Sequence, residues 1–307
     1  MTASRREWPL VAFTLLTQAA VGGLLALRLV RLWAGPAADD PGPGIVSAPL
    51  AMLGALFAVG LAASVGHLSR PLAAWLALRN LRRSPVSLEI ALAVAFGITA
   101  ALSVGPADVV PGSGGVRSAL AGLAAVLGLA LIWSMGRIYR LPTRPAWDHA
   151  ATSIEFFTTA GLLGAAFAAA VTAFAARWAG GSAAPSPAEA SGVRDLLLGL
   201  LAITLASAAL EVALIPLQAR VRLRASRAAS LPETEAALNR CRRASLARVL
   251  LTLAAIAAAA FAALRQMPAA GIDEPAAQAV IVTLLLAAAE SLIGRVMFYT
   301  ERPIAGL

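Results

Sequence analysis

The chain has few charged residues, one cysteine and two histidines. Charged residues make up 13% of its 307 residues, and hydrophobic residues make up 59%. A soluble domain carries roughly a quarter charged residues, so this composition excludes a soluble globular enzyme and a disordered chain. The single cysteine, Cys241, excludes an intrachain disulfide and any metal or iron–sulfur site built from its cysteines alone.

Lysine is absent, and all 25 basic residues are arginine, which gives a formal net charge of +9. This balance does not indicate nucleic acid, because nucleic-acid binding needs a basic face on a soluble fold. Here the arginines stand between long apolar runs. A membrane helix needs about 20 mostly apolar residues, and eight runs approach or exceed that length, at roughly 9–33, 45–67, 87–105, 117–138, 151–176, 194–217, 246–264 and 276–297.

These runs predict an all-α, polytopic integral membrane protein, a single bundle of eight transmembrane helices over residues 1–307. The arginines predict its orientation. The two termini and the loops after spans two, four and six carry 19 arginines, and the other four loops carry six. The positive-inside rule then places both termini in the cytoplasm, which makes the cytoplasmic membrane the expected location. The segment 218–245 is predicted to be a basic cytoplasmic loop that contacts anionic lipid or docks a partner.

Ionisable residues inside the spans gather on one side of the membrane. Such residues are costly in lipid and mark functional sites by default. With alternating topology all of them fall on the arginine-rich side: Glu7, His67, Glu89, Arg137, Tyr139, Glu155, Glu211, Glu290 and Arg295. We expect a polar pocket near that interface if they face inward. A structural interpretation stays open, in which Glu155 and Glu290 pair with Arg137 or Arg295, and residues near span ends reach the interface.

The residue types in this set favour proton chemistry. A membrane haem needs axial ligands, commonly paired histidines in facing spans, and of the two histidines His149 lies in a loop. No haem or metal is therefore expected, and no phosphate-binding or zinc-protease motif is present. An imidazole with several carboxylates suits oxidation of a quinol, whose hydroxyls need proton acceptors. It equally suits a proton-coupled secondary transporter.

Several short motifs that contain polar residues follow one another along the sequence. Ser64-Val65-Gly66-His67-Leu68-Ser69-Arg70-Pro71 precedes Glu89, and later stretches contain Arg137-Ile138-Tyr139, Glu155-Phe156-Phe157-Thr158 and Glu290 through Arg295 to Phe298-Tyr299. In order and spacing the sequence resembles the membrane anchor subunit of the dimethyl sulfoxide reductase family of molybdoenzymes. The segments from His67 to Glu89 and from Glu290 to Tyr299 are the more specific.

The resemblance implies an eight-helix anchor without a redox cofactor of its own. Its partners would be an iron–sulfur electron-transfer subunit and a molybdopterin catalytic subunit. It implies that menaquinol is the bound substrate and is oxidised to menaquinone, with electrons passing to the iron–sulfur subunit in anaerobic respiration. The protein would then carry the quinol half-reaction of an oxidoreductase complex rather than its catalytic centre.

The resemblance also assigns residues. In the family, the histidine of a His-Leu-x-x-Pro motif and a glutamate 22 residues later are linked to quinol oxidation, and here these are His67 and Glu89. Arg70 is expected to hold Glu89 or the quinol headgroup. The other supporting candidates are Arg137, Tyr139, Glu155, Glu290 and Arg295. A transporter and a purely structural anchor are the alternatives.

Overall fold

The computed structural model describes residues 8–35, 43–66, 79–81, 83–105, 114–141, 147–179, 186–228, 235–267 and 272–300. Within these ranges it contains eight α-helices and no strand. All eight helices are long and apolar enough to span a membrane, which confirms the predicted eight-helix membrane bundle. They are α1 Trp8–Ala34, α2 Pro43–Val65, α3 Pro85–Val104, α4 Gly114–Ile138, α5 Ala150–Phe174, α6 Pro187–Ala228, α7 Glu235–Gln266 and α8 Glu274–Thr300, and a π-helical turn, Ala175–Ala179, extends α5.

The largest differences from the predicted spans concern α6 and α7. Their apolar runs were expected at 194–217 and 246–264, but the helices are longer. Most of 218–245, expected as a basic loop, is therefore helical. The reason is that alanine, arginine and leucine are all strong helix formers, so the helix continues after the apolar run has ended.

Polar caps fix where several helices begin. Ser84 caps α3, because its hydroxyl accepts a hydrogen bond from the Ser87 N–H, and Pro85 follows at the first helical position. Ser186 and Glu189 form a capping box at α6: the Ser186 N–H donates to the Glu189 carboxylate, and the Glu189 N–H donates to the Ser186 hydroxyl. Asp273 caps α8, and the hydrogen bond from the Ala276 N–H lowers the pKa of its carboxyl.

Helix α5 lies at the centre of the bundle and packs against α1, α2, α4, α6 and α8. Small residues allow this, because they let helix backbones approach closely in a membrane. Helices α1 and α5 cross where Gly22 and Gly23 meet Ala160 and Gly164, and a Cβ atom on Gly22 or Gly164 would collide with the facing backbone. Helix α3 packs mainly on α4 and leaves an opening toward α2.

We expect Gly164→Ala to destabilise the bundle. The added Cβ has no space, and overpacking of a close helix contact costs about 1–3 kcal/mol. The thermal midpoint of the detergent-solubilised protein measures the effect. Gly122→Ala is the matched control, because a Cβ atom there meets nothing within 4 Å and alanine favours a helix over glycine. Equal midpoints for the two variants would contradict the tight α1–α5 crossing.

Candidate functional site

Buried polar side chains concentrate at the end of the bundle where α1, α3, α5 and α7 begin and the other helices end. We call this the polar end. At its centre lies the carboxylate cluster, formed by Glu155 of α5, Glu211 of α6, Arg248 of α7 and Glu290 of α8. All four residues are at most 5% exposed. Glu155 lies five residues into α5, about 7.5 Å along the helix axis, so the cluster is within the bundle and below its surface.

One guanidinium joins three carboxyl groups in this cluster. Arg248 Nη2 donates to Glu211 Oε1 at 2.6 Å and to Glu155 Oε1 at 3.2 Å, and Arg248 Nε donates to Glu290 Oε1 at 2.7 Å. Arg248 Nη1 donates to Gln218 Oε1 at 3.1 Å. Gly294 leaves the space, because a Cβ atom there would lie 2.7 Å from Arg248 Cζ.

Hydroxyl groups complete the ring of polar contacts. Thr158 Oγ1 donates to Glu211 Oε2 at 2.5 Å, and Ser291 Oγ donates to Glu290 Oε2 at 3.2 Å. Both hydroxyls are buried. The carboxyl groups are therefore held in fixed positions by neighbours from α5, α7 and α8, as a buried polar network requires.

Arg295 belongs to a second group of contacts nearer the membrane surface. Its Nη2 donates to Gln18 Oε1 at 2.8 Å, and Gln18 Nε2 donates to the Phe156 carbonyl at 3.2 Å. The guanidinium carbon lies 4.0 Å from the centroid of the Phe156 ring and 5.8 Å from that of Phe298. Cation–π attraction thus stabilises the buried guanidinium, and Arg295 Nη1 is buried without a hydrogen-bond partner in the part of the protein that is described.

Five aromatic rings pack against one another beside this arginine, and we call them the aromatic box. The Tyr139 and Tyr299 hydroxyl oxygens lie 2.6 Å apart, and the Tyr139 ring stacks on Phe156. The Glu89 carboxyl is close enough to both tyrosine hydroxyls to act on them electrostatically. The rings of the box belong to Tyr139, Trp147, Phe156, Phe298 and Tyr299.

An apolar groove of about 440 Å³ runs between α2 and α3, with α1 behind it. Phe57 and Leu61 line one wall, and Ala93 and Gly97 line the other. Glu89 precedes Ala93 by four residues and therefore lies on the same face of α3. Glu89 thus lies beyond the end of the α2–α3 groove that faces the polar end. It is one helical turn away from the residues that line the groove.

Comparison with known proteins places the protein in a family. A family model described as DMSO reductase anchor subunit (DmsC) matches residues 1–300. The chain belongs to the DMSO reductase anchor subunit family. Among its relatives, the anaerobic dimethyl sulfoxide reductase protein YnfH of Escherichia coli strain K12 is 35% identical over 167 residues, which is 54% of this sequence and 57% of that one.

Two further relatives also bear the name anaerobic dimethyl sulfoxide reductase, each as one subunit of that enzyme. The one from Escherichia coli strain K12 is 31% identical over 160 residues, 52% of this sequence and 55% of the relative. The one from Haemophilus influenzae is 29% identical over 166 residues, 52% of this sequence and 56% of the relative. The matches span a little over half the length of each relative. As a member of this family with eight helices long and apolar enough to cross a membrane, the protein is a multi-pass membrane protein.

The structure of the anchor brings together most of the predicted residues that it describes. Glu155 and Glu290 join the carboxylate cluster, while Tyr139, Arg295 and Glu89 gather at the aromatic box. Arg137 does not take part, because it is exposed and lies over the Trp133 ring. His67 and Arg70 lie outside the described residues. The described residues contain no group of three or more His, Cys, Asp or Glu arranged to hold a metal ion.

Pairing of Glu155 and Glu290 with Arg137 or Arg295 was wrong, since both carboxyls pair with Arg248. The arginine count that predicted the orientation assigned Arg248 to the basic loop. In the structure Arg248 lies thirteen residues inside α7. A signal was present in the sequence, because Arg248 falls inside the predicted span 246–264, directly before the uncharged stretch that starts at Val249. Glu211 was placed at the same end as Glu155 and Glu290 but was not among the proposed site residues.

Proposed function

We propose that this anchor binds menaquinol in the α2–α3 groove and oxidises it at the polar end. The observation that carries the proposal is the groove itself, which is apolar along its walls and points at one carboxyl group. A quinol has the matching form: a long apolar prenyl tail and a ring with two hydroxyls. Binding sites for such molecules are mostly apolar, with a few placed polar groups.

The chemistry assigns distinct tasks to the residues near the ring. Oxidation of a quinol to a quinone releases two protons and two electrons. We assign acceptance of the hydroxyl protons to Glu89 and His67, positioned general bases of the kind this reaction needs. The electrons pass to the iron–sulfur clusters of the electron-transfer subunit, which hands them to the molybdopterin subunit. Arg70 holds Glu89 or a headgroup oxygen in this proposal.

The orientation proposal places the polar end and both termini in the cytoplasm, with the protein in a bacterial cytoplasmic membrane. The arginine bias supports this orientation. The bias persists when Arg248 and Arg295, which are buried in the bundle, are left out of the count. Exposed arginines on α6 and α7, among them Arg220, Arg242 and Arg243, give the polar end a basic surface for partner subunits.

Filling the groove tests the proposal. Gly54 lines it, and a Cβ atom there meets nothing within 4 Å. Gly54→Leu therefore adds a side chain at the groove, and its Cβ atom meets no neighbour. We expect KM for a long-tailed quinol to rise about tenfold, which corresponds to about 1.4 kcal/mol of lost tail contact. KM for a short-tailed quinol and turnover with an artificial electron donor stay unchanged.

The control for this variant is Gly122→Leu on α4, outside the groove and also facing open space. Steady-state kinetics of the assembled complex in membranes give both KM values. A rise in KM that is equal for long- and short-tailed quinols, or absent for both, would show that the quinol tail does not bind in this groove.

A further inference from the structure

The carboxylate cluster has a charge balance that its structural role does not explain. If all three carboxyls were ionised, Glu155, Glu211 and Glu290 would carry three negative charges against the single positive charge of Arg248. An uncompensated charge buried in a protein costs several kcal/mol. Like-charged carboxyls that share a site do not all ionise together. Neutrality is reached when two of the three carboxyls carry a proton.

Among the described residues, Arg248 is the one cation that pairs with the cluster carboxyls. Arg295 lies more than one turn along α8 from Glu290 and is held by Gln18 and the aromatic rings. The side chains of Tyr139, Tyr299 and Glu89 carry no positive charge. The remaining polar contacts of the cluster are neutral: Thr158, Gln218 and Ser291.

Three buried polar side chains of α8 lie between the cluster and the proposed quinol position. On α8, Ser291, Arg295 and Tyr299 follow at four-residue spacing and are all buried. Such neighbours on a helix face have Cβ atoms about 5–6 Å apart. Ser291 contacts Glu290 of the cluster, and Tyr299 contacts Tyr139 beside Glu89.

A cavity of about 700 Å³ lies between α6 and α7, beside the turns that carry Glu211 and Arg248. Its lining includes Val212 and Val249, which directly follow Glu211 and Arg248 in the sequence. It also includes Asn239 and Arg242, closer to the start of α7. Gln218 Nε2, beside Arg248, is buried without a hydrogen-bond partner among the described residues. Such an atom needs an ordered water or a comparable partner.

We propose that the carboxylate cluster is the proton reservoir of the quinol reaction. This inference rests on the proposed quinol oxidation. Protons released by quinol near Glu89 pass one at a time over the polar side chains of α8, where Arg295 keeps its own protons, and each forms an O–H bond with the ionised carboxylate of the cluster. These bonds break again as the protons pass to water in the α6–α7 cavity. The electrons leave separately to the iron–sulfur acceptor, so each quinol yields one quinone, two protons and two electrons.

Glu211→Gln and Glu290→Gln in the assembled complex test the reservoir. Each keeps the side-chain shape and removes the proton-binding group. We expect quinol-driven kcat to fall about tenfold, less than the 10²–10⁴-fold loss for a group in contact with the reacting atoms. The pH profile changes, and KM for quinol and turnover with an artificial donor do not. Glu211→Asp restores part of the rate. Glu274→Gln, an exposed glutamate at the opposite end of α8, has no effect.

Infrared difference spectroscopy of the wild-type complex gives a test that does not depend on a variant folding. We expect a carboxylic-acid band that changes on addition of quinol and that Glu211→Gln or Glu290→Gln shifts or removes. Absence of that band, or wild-type kcat and pH profile in both variants, overturns the reservoir. A wild-type complex that turns over with an artificial donor but not with quinol overturns the proposed quinol oxidation instead.

Discussion

Arg248→Met is expected to lower the free energy of unfolding by about 3–5 kcal/mol, because removing one partner of a buried ion pair leaves the other uncompensated. Methionine keeps much of the volume of the arginine stem and removes its charge and five donors. Glu155, Glu211, Glu290 and Gln218 then lose the group that holds them. The thermal midpoint of the detergent-solubilised protein, with the yield of folded protein, measures the loss.

The matched control is Arg243→Met, an exposed arginine on the same helix, for which we expect almost no change. A compensating variant separates charge from packing. Adding Glu211→Gln and Glu290→Gln to Arg248→Met is expected to recover much of the stability, because a neutral buried group often replaces an ion cluster at little cost. If Arg248→Met and Arg243→Met have the same midpoint, the cluster does not stabilise the bundle.

The number and type of helices could be predicted because apolar run length decides both. A protein in lipid must satisfy its backbone hydrogen bonds within each span, so a long apolar run becomes a helix. The ends of α6 and α7 could not be predicted in this way. Hydropathy detects the part of a helix that lies in lipid, whereas arginine- and alanine-rich turns continue the same helix into the polar region.

The gathering of the buried carboxyl groups at one end of the bundle could be predicted, but their contacts could not. Alternating topology placed Glu155, Glu211 and Glu290 on one side of the membrane, and the structure brings them together. Their shared partner, Arg248, was missed because an arginine at the edge of an apolar run looks like part of a loop. Its burial depends on Gly294, on another helix, leaving space for the guanidinium, and a pattern along one span does not contain that information.

Glu89→Gln is expected to reduce quinol-driven kcat at least about 100-fold, within the range for loss of a general base in contact with the substrate. Glutamine keeps the size of the side chain and cannot accept the hydroxyl proton. Glu89 is the one acidic residue of α3 and lies at the end of the α2–α3 groove, so no neighbour on that helix replaces it. Glu189→Gln, exposed in the first turn of α6, is the control and should leave turnover unchanged.

The ratio of quinol-driven to artificial-donor turnover, measured in one membrane preparation, tests the central claim most directly. The preparation carries Glu89→Gln, with His67→Ala in parallel, and bound partner subunits are verified in the same sample. We predict that both variants keep their partners and their artificial-donor turnover and lose turnover with quinol. Unchanged quinol turnover in both variants would contradict the account and make the protein a purely structural anchor.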